Sequence, residues 1–434
     1  MRALFLCGFL AAACLAEPLT WKSLIASAEN DPVLQSSRKK LGVIGERSGT
    51  KLWSDLELEY SLDGFGFLEH DFELKIKPKA FGEGAASEAY MKSQAEYQKM
   101  HLATDRAAIL YNRYEHAIRY VKRLQIQSLH RELAQIADDR IEVLKALSGM
   151  ETFRLQDLVT ALEARATLEA KMIADSNAIK DSKLKLLSLA SGFDSIALDT
   201  AFLPTIDEVK FAVEFVAGCG NFDDVAIAKA KWRLSEKRAE QELAEDRNFI
   251  SKIGIGYKYV YGKYKYKWVT TSCKGSSCEE EWRLQRSDDD RRTQDKFYAS
   301  IAVKLPFFSN DVSSGLKRQI DVLERERDYQ EKKRDALQKT ERLREEILGL
   351  IAQREVQKRF VEQVDQGALF EDFANKAGND PLLLLRAKES SLESRLKIAQ
   401  LDADIFNAYL ELLYEAGALA VPDVSNHLRA GSGI

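Results

Sequence analysis

Residues 55–62 read Asp-Leu-Glu-Leu-Glu-Tyr-Ser-Leu, and this stretch decides the fold because apolar and polar side chains alternate along it. Successive side chains of a β-strand point to opposite faces, so the pattern predicts a strand with one apolar and one charged face. Three more segments alternate in the same way. Their apolar positions are Phe72, Leu74 and Ile76, then Ile253, Ile255, Tyr257 and Tyr259, and then Phe297, Ala299, Ile301 and Val303. We therefore predict two β-hairpins, at about 52–79 and 250–308.

Two features distinguish the second hairpin. Its alternation changes phase beside Gly262 and Lys263, and a phase change next to glycine indicates a β-bulge. Residues 270–295, between its two apolar segments, are strongly polar and are expected to form an exposed loop that holds Cys273 and Cys278. An exported protein would oxidise this pair to a disulfide. Two free thiols, or a metal site that lacks its other ligands, are the alternatives.

The alternating strands fit two kinds of sheet. A soluble sheet with one buried face gives this pattern. A transmembrane β-barrel is favoured, because the second face is charged and Tyr and Trp concentrate near one end of the strands. Four strands cannot close a barrel and open sheet edges are not tolerated in lipid, so several chains must contribute strands.

The rest of the sequence predicts unusually long helices. They cover about 84–147, 154–192, 312–375 and 381–416, and they pair as two antiparallel coiled-coil hairpins. Helices of this length need lateral partners. In the first helix the predicted contact stripe is Ala107, Leu110, Tyr114, Ala117, Val121 and Leu124, followed after a phase shift by Ile126, Leu129, Leu133, Ile136, Val143 and Leu147. In the last helix it is Leu392, Leu396, Ala399, Ala403, Phe406, Leu410 and Leu413.

The same order of elements occurs twice, which predicts an internal twofold repeat. The first repeat spans 17–203, the second spans 204–420, and a C-terminal tail covers 421–434. Each repeat opens with a short apolar segment, 19–32 or 203–215, and continues into a polar-rich helix.

The N-terminus and the overall charge limit the class of protein. Residues 1–16 are typical of a secretory signal peptide, although Cys14 loosely matches a lipoprotein processing site and lipidation is the alternative. No later apolar run is long enough to predict a membrane helix. The formal net charge of -4 gives no indication of a nucleic-acid partner.

This ordered set of segments resembles the TolC-like outer-membrane efflux proteins, a family of trimeric channel-tunnels. The matching segments are 19–32, the strand end Val-Lys-Leu-Pro-Phe-Phe at 303–308, and the Ala-rich heptads of 387–417. The resemblance implies a mainly α fold with a transmembrane β-barrel: long antiparallel coiled-coil helices forming an α-barrel tunnel, and four strands per protomer pooled into a 12-stranded barrel in a homotrimer. It also implies a location in outer-membrane lipid with the tunnel in the periplasm. The implied partners are a periplasmic adaptor (membrane fusion) protein and an inner-membrane transporter.

In this family, acidic residues near the periplasmic tip of the tunnel form constricting rings. Residues 155–161, Leu-Gln-Asp-Leu-Val-Thr-Ala, resemble the tip motif and place Asp157 at an acidic position. The second repeat departs from it, since residues 380–386 read Asp-Pro-Leu-Leu-Leu-Leu-Arg. We therefore expect a gate of mixed charge and leucine, formed by Asp157, Asp380, Leu383, Leu384 and Arg386. A solvated carboxylate favoured by the helix dipole is the alternative role for Asp157.

The sequence does not indicate an enzyme. Its five histidines are scattered and it has no Gly-x-x-x-x-Gly-Lys-Ser/Thr loop, so neither metal hydrolysis nor ATP-driven work is indicated and no cofactor is expected. The predicted function is a passive export duct for small molecules or polypeptides in a tripartite efflux or type I secretion system. The alternative is a periplasmic coiled-coil adaptor or structural protein with a soluble sheet.

Overall fold

The structure is a computed structural model that describes most of the chain. The described residues are 18–46, 53–63, 69–150, 153–190, 192–216, 222–248, 250–270, 282–303, 312–365, 381–422, 424 and 426–430. The predicted signal peptide with Cys14, the cysteines Cys273 and Cys278, and the gate residue Asp380 lie outside these ranges.

Nine α-helices and four strands make up the described part of the chain. The helices are α1 (Trp21–Ala26), α2 (Pro32–Glu46), α3 (Glu83–Ala146), α4 (Leu155–Leu189), α5 (Ile206–Val216), α6 (Asp223–Asp246), α7 (Val312–Asp365), α8 (Pro381–Glu415) and α9 (His427–Ala430). The strands are β1 (Trp53–Asp63), β2 (Glu69–Pro78), β3 (Ile250–Thr270) and β4 (Trp282–Val303). Among the described helices, none combines the length and the apolar character that a membrane span requires.

The chain divides into two compact units. The helical unit comprises Met1–Gly42, Tyr97–Ala230 and Arg327–Ile434. The sheet unit comprises Val43–Glu96 and Lys231–Glu326.

The sheet unit contains one antiparallel sheet with the strand order β1-β2-β3-β4. All four predicted strands are confirmed, and the predicted bulge is present, because the register of β3 against β4 shifts between Val260 and Lys265. The predicted loop 270–295 is too long. Strand β4 begins at Trp282, which pairs with Thr270, so much of this polar segment is strand. Backbone hydrogen bonds build the ladder whatever the side-chain polarity, which the alternation pattern does not reveal.

Two short helices of the helical unit begin with capping boxes in which threonine is the N-cap. Thr20 caps α1: its hydroxyl accepts from the Ser23 amide at 3.3 Å, and the Ser23 hydroxyl accepts from the Thr20 amide at 2.8 Å. In α5 the Thr205 hydroxyl accepts from the Glu208 amide at 3.2 Å, and the Glu208 carboxylate accepts from the Thr205 amide at 2.6 Å. Each box satisfies two amides that helix geometry leaves without partners.

The core of the helical unit forms where α3 packs against its neighbours. The predicted stripe of α3 is buried at Ala107, Leu110, Tyr114, Ala117 and Val121. In α8 the predicted residues Leu392, Ala399, Phe406, Leu410 and Leu413 are likewise buried. Two ion pairs along each helix pair show antiparallel packing. They are Asp138–Arg165 and Arg123–Asp175 for α3 with α4, Arg140–Glu389 and Lys122–Asp402 for α3 with α8, and Lys339–Glu415 and Arg354–Asp402 for α7 with α8.

The second half of the α3 stripe differs from the prediction. Leu124 is exposed, and Ile136, Val143 and Leu147 are only half-buried. The residues buried in this part of α3 are Ile126, His130, Leu133, Ala134, Ala137, Ile141 and Leu144. This spacing of three and four keeps the stripe on one helix face, and small alanines occupy it where larger residues had been expected.

Arg113 is the largest of the fully buried side chains and ties several segments together. Its guanidinium donates to the Ile109 carbonyl of α3 at 3.3 Å and to the Leu189 carbonyl at the end of α4 at 3.0 Å. It also donates to the Ser27 hydroxyl at 3.2 Å and to the Asp31 carboxylate at 3.3 Å. The guanidinium also donates to the Ser27 carbonyl at 3.4 Å, so one side chain satisfies carbonyl groups at the ends of α1 and α4 and neutralises a carboxylate.

Replacing Arg113 with methionine should lower the free energy of unfolding of the helical unit by about 3–5 kcal/mol, because Asp31 and the buried carbonyls lose their donor. The control is Arg119→Met, whose side chain is 44% exposed and pairs only with Glu115 one turn away. It should cost less than about 1 kcal/mol. Urea unfolding followed by the helical circular dichroism signal measures both. Equal losses for the two variants would contradict the anchoring role of Arg113.

Candidate functional site

The sheet has one apolar face, formed by side chains that register pairs across all four strands. The first two cross-strand rows are aliphatic: Leu56, Ile76, Ile253 and Ile301, then Leu58, Leu74, Ile255 and Ala299. The third row is aromatic throughout, with Tyr60, Phe72, Tyr257 and Phe297. The fourth row, Leu62, His70, Tyr259 and Asp295, is mostly polar. We call these four rows the apolar sheet face.

The apolar sheet face is exposed within the single chain. Leu58 is 75% exposed and Phe297 is 81% exposed, although residues of this kind are usually buried in a soluble protein. The aromatic rings contact each other across the strands, with centroids 4.6 Å apart for Tyr60 and Phe72 and 4.8 Å apart for Tyr257 and Phe297. An exposed apolar patch of this extent requires an apolar environment or a partner.

The opposite face, which we call the polar sheet face, is held together by charged side chains. Lys75 of β2 pairs with Glu59 of β1 and, at 3.4 Å, with Glu73 of its own strand. Lys252 of β3 reaches over β2 to Glu57 of β1 at 3.0 Å. These pairs connect three strands on a surface that the alternating sequence had predicted to be charged.

Two glycines of β3 allow side chains from its two neighbouring strands to meet. Tyr298 of β4 lies opposite Gly256 and donates its hydroxyl to Asp71 of β2 at 2.8 Å. A methyl group at Gly256 would overlap the Tyr298 ring. At Gly254 an added methyl group would meet Glu73 and Ser300, which form a hydrogen bond of 2.8 Å over it. The glycines thus provide the space that the links between β2 and β4 occupy.

The predicted gate residues lie at the ends of helices in the helical unit. Leu382 packs against the cluster of Ile141, Leu144, Leu158 and Ala161, so the start of α8 contacts the end of α3 and the start of α4. Leu383 and Leu384 are 43% and 41% exposed.

Asp157 lies near the start of α4, and Arg386 lies near the start of α8. Asp157 is half-buried in the first turn of α4, and Arg386 is exposed. In the described part of the chain no salt bridge within 4.0 Å joins them.

The sequence analysis missed two groups of buried charge in the helical unit. Asp402 of α8 accepts from Arg354 of α7 at 2.6 Å and from Lys122 of α3 at 3.3 Å. Burial lowers the pKa of the Lys122 ammonium, and the Asp402 carboxylate opposes that shift. Asp175 of α4 contacts His130 at 2.6 Å and Arg123 at 3.2 Å, both from α3. A charged residue at an inward position of a helical stripe was the signal that could have found them. No three His, Cys, Asp or Glu side chains among the described residues are grouped as metal ligands.

The variant Gly256→Ala should destabilise the sheet by about 1–3 kcal/mol, because the added methyl group displaces the Tyr298 ring. Combining it with Tyr298→Ala should recover part of that loss, since the overlap is then removed. The control is Gly315→Ala in α7, where nothing lies within 4 Å of an added methyl group. The β-sheet band in infrared spectra of the purified protein, recorded on heating, gives the midpoints. If the double variant loses as much stability as the two single variants together, or more, the packing argument is refuted.

Comparisons with known proteins identify similar structures but no similar sequences. No protein-family model matches the sequence, and no curated protein sequence matches it significantly. Solved structures do match. The outer membrane protein VceC from Vibrio cholerae has a TM-score of 0.60 at 14% identity, with 92% of this chain and 96% of that chain covered. CusC, described for its transmembrane channel formation, has a TM-score of 0.60 at 12% identity, with 91% of each chain covered.

A third match is the open state of the MtrE outer membrane channel from Neisseria gonorrhoeae. Its TM-score is 0.59 at 11% identity, with 92% of this chain and 88% of that chain covered. These similarities extend over nearly the whole length of both chains, although identity is low. The chain therefore has the fold of the TolC-like outer-membrane channel proteins, which confirms at the level of fold the resemblance seen in its sequence.

Proposed function

We propose that the chain is one protomer of a homotrimeric outer-membrane channel that serves as a passive export duct. The observation that carries this proposal is the pair of faces on the sheet. An exposed aliphatic surface bordered by a complete aromatic row lies opposite a charged, ion-paired surface. Membrane barrels have this arrangement, with aliphatic side chains toward lipid, aromatic rings at the interface and charges toward the lumen.

The sheet edges support the trimer. The strand order leaves β1 and β4 as the outer strands of the described sheet. In lipid their free backbone groups would each lack a hydrogen-bond partner, at a cost of several kcal/mol per group. Three copies joined edge to edge give a closed barrel of about twelve strands, a size within the range of membrane barrels.

The proposed partners follow from the absence of any energy source in the sequence. No phosphate-binding glycine loop occurs, so the duct depends on another protein for energy. We propose an inner-membrane transporter joined to the duct by a periplasmic adaptor protein, with the helices of this chain forming a periplasmic tunnel. The cargo is a small molecule or a polypeptide. The similarity to outer-membrane channels supports this assignment.

A lysine introduced on one or the other sheet face tests the proposed membrane location. Leu58→Lys should prevent stable insertion, because lysine on the lipid side of a barrel costs about 2–4 kcal/mol near the bilayer midplane. Ser61→Lys, in the same strand but on the polar sheet face, should insert normally. Outer-membrane fractions washed with carbonate and high salt, followed by mass measurement of the detergent-extracted oligomer, report both properties.

The washing and mass measurements can also contradict the proposal. A wild-type chain that washes off as a monomer, or a Leu58→Lys variant that is equally well retained, would favour the periplasmic adaptor with a soluble sheet.

We further propose that Asp157, Arg386 and the leucines at the start of α8 form the gate, together with Asp380, which lies outside the described residues. Arg386 is solvated in the single chain, so its desolvation arises only when copies assemble. Asp157→Ala or Arg386→Ala should therefore raise single-channel conductance in planar bilayers. Lys397→Ala, an exposed position further along α8, is the control and should leave it unchanged. If only Leu383→Ser or Leu384→Ser raises conductance, the barrier is purely apolar.

A further inference from the structure

A groove in the helical unit lies between α2 and α3, and none of its lining residues belongs to the sheet or to the predicted gate. Its volume is about 560 Å³, which is within the range of small-molecule sites. The α2 wall contains Pro32, Val33, Ser36, Ser37 and Lys40, and the α3 wall contains Tyr97, Gln98, His101 and Asp105. The groove therefore combines aliphatic, aromatic and oppositely charged groups.

Asp105 is the acidic group of the groove, and its orientation is fixed. The buried Ser37 side chain donates its hydroxyl to one Asp105 carboxylate oxygen, Oδ2, at 2.6 Å. Among the described residues no Lys, Arg or His lies within 4.0 Å of this carboxylate. By contrast, the nearby Glu29 is paired with both Arg38 and Arg106. The second carboxylate oxygen of Asp105 is therefore available for a cation.

Lys40 is the basic group of the groove. It lies one helical turn beyond Ser37 on α2 and is exposed. No carboxylate of the described residues is within 4.0 Å of its ammonium, so Lys40 and Asp105 do not neutralise each other. Two unpaired charges of opposite sign on facing walls match a molecule that carries both charges.

The apolar part of the groove matches an aromatic body. Tyr97 and His101, one turn apart on α3, form an edge-to-face pair with centroids 4.6 Å apart and planes at 89°. Both rings line the groove. Aromatic rings placed against such walls gain burial and offset contacts.

We propose that this groove binds a small zwitterion with an aromatic body, whose ammonium group contacts Asp105 and whose carboxylate contacts Lys40. The ring of the ligand packs against the pair formed by Tyr97 and His101. This assignment goes beyond the proposed channel function and does not depend on conduction through the protein.

Three matched probes test the charge requirement on the full-length protein purified in detergent. Tryptophan carries both charges, tryptophan amide carries only the cation, and N-acetyltryptophan carries only the anion. Equilibrium dialysis should show saturable binding of tryptophan that is about tenfold tighter than that of either single-charge probe, because each charged contact contributes on the order of a tenfold factor. Absence of saturable binding, or equal affinities for the three probes, would overturn the proposal.

Two substitutions assign each charge to its residue. Asp105→Asn keeps an acceptor for Ser37 but should remove the advantage of tryptophan over N-acetyltryptophan. Lys40→Gln should remove the advantage of tryptophan over its amide. Lys39→Gln changes a neighbouring exposed lysine that does not line the groove, and it should leave all three affinities unchanged. A loss of the same size in Lys39→Gln would mean that net charge, and not the groove, determines binding.

Discussion

The structure depends on a sheet whose apolar face is left exposed by its own chain. Leu58 and Phe297 remain largely exposed, and the residues paired with them across the strands are aliphatic or aromatic. Burial of such a surface contributes about 25 cal/mol per Å², so leaving it in water would oppose folding. The sheet therefore requires an apolar surrounding. In the proposed lipid surrounding its outer strands β1 and β4 would also need hydrogen-bonding partners, which links the proposed membrane location to the proposed assembly.

Buried charged pairs limit how the long helices can shift along one another. Two apolar helix stripes can shift along each other by one turn at little cost in free energy. A buried charged pair cannot, because each charge would lose its partner. Asp402 connects α3, α7 and α8, and Asp175 connects α3 with α4. Arg113 adds a third fixed point where the ends of α1 and α4 meet α3. These buried charges set the register of the helices, while alanine and leucine provide the contact area.

Much of this fold could be predicted from the sequence because its patterns are long. The strand alternation gave all four strands and the bulge near Gly262, and the spacing of Leu392 to Leu413 gave the buried stripe of α8. Where pairing is set by the backbone, the pattern failed: β4 extends through polar residues that resemble a loop. The contacts of His130 with Asp175 join residues 45 positions apart, which single-sequence periodicity cannot detect. The gate stays a prediction. The sequence indicates which residues could form it, but the proposed contacts between copies of the chain are not contained in a single chain.

The polar sheet face constrains where a duct of this kind could distinguish charges. By register, the acidic positions of this face are Asp55, Glu57, Glu59, Asp63, Glu69, Asp71 and Glu73, and its lysine positions are Lys75, Lys77, Lys252, Lys258 and Lys296. Acidic positions outnumber lysine positions by seven to five, and Glu57, Glu59 and Glu73 form ion pairs with Lys252 or Lys75. Paired charges produce a weak field at a distance, because opposite contributions cancel and salt screens the remainder. If this face lines the lumen, its acidic excess would favour cations over anions. Charge selection would then depend on this excess together with groups such as Arg386 at the start of α8, which forms no ion pair within the described part of the chain.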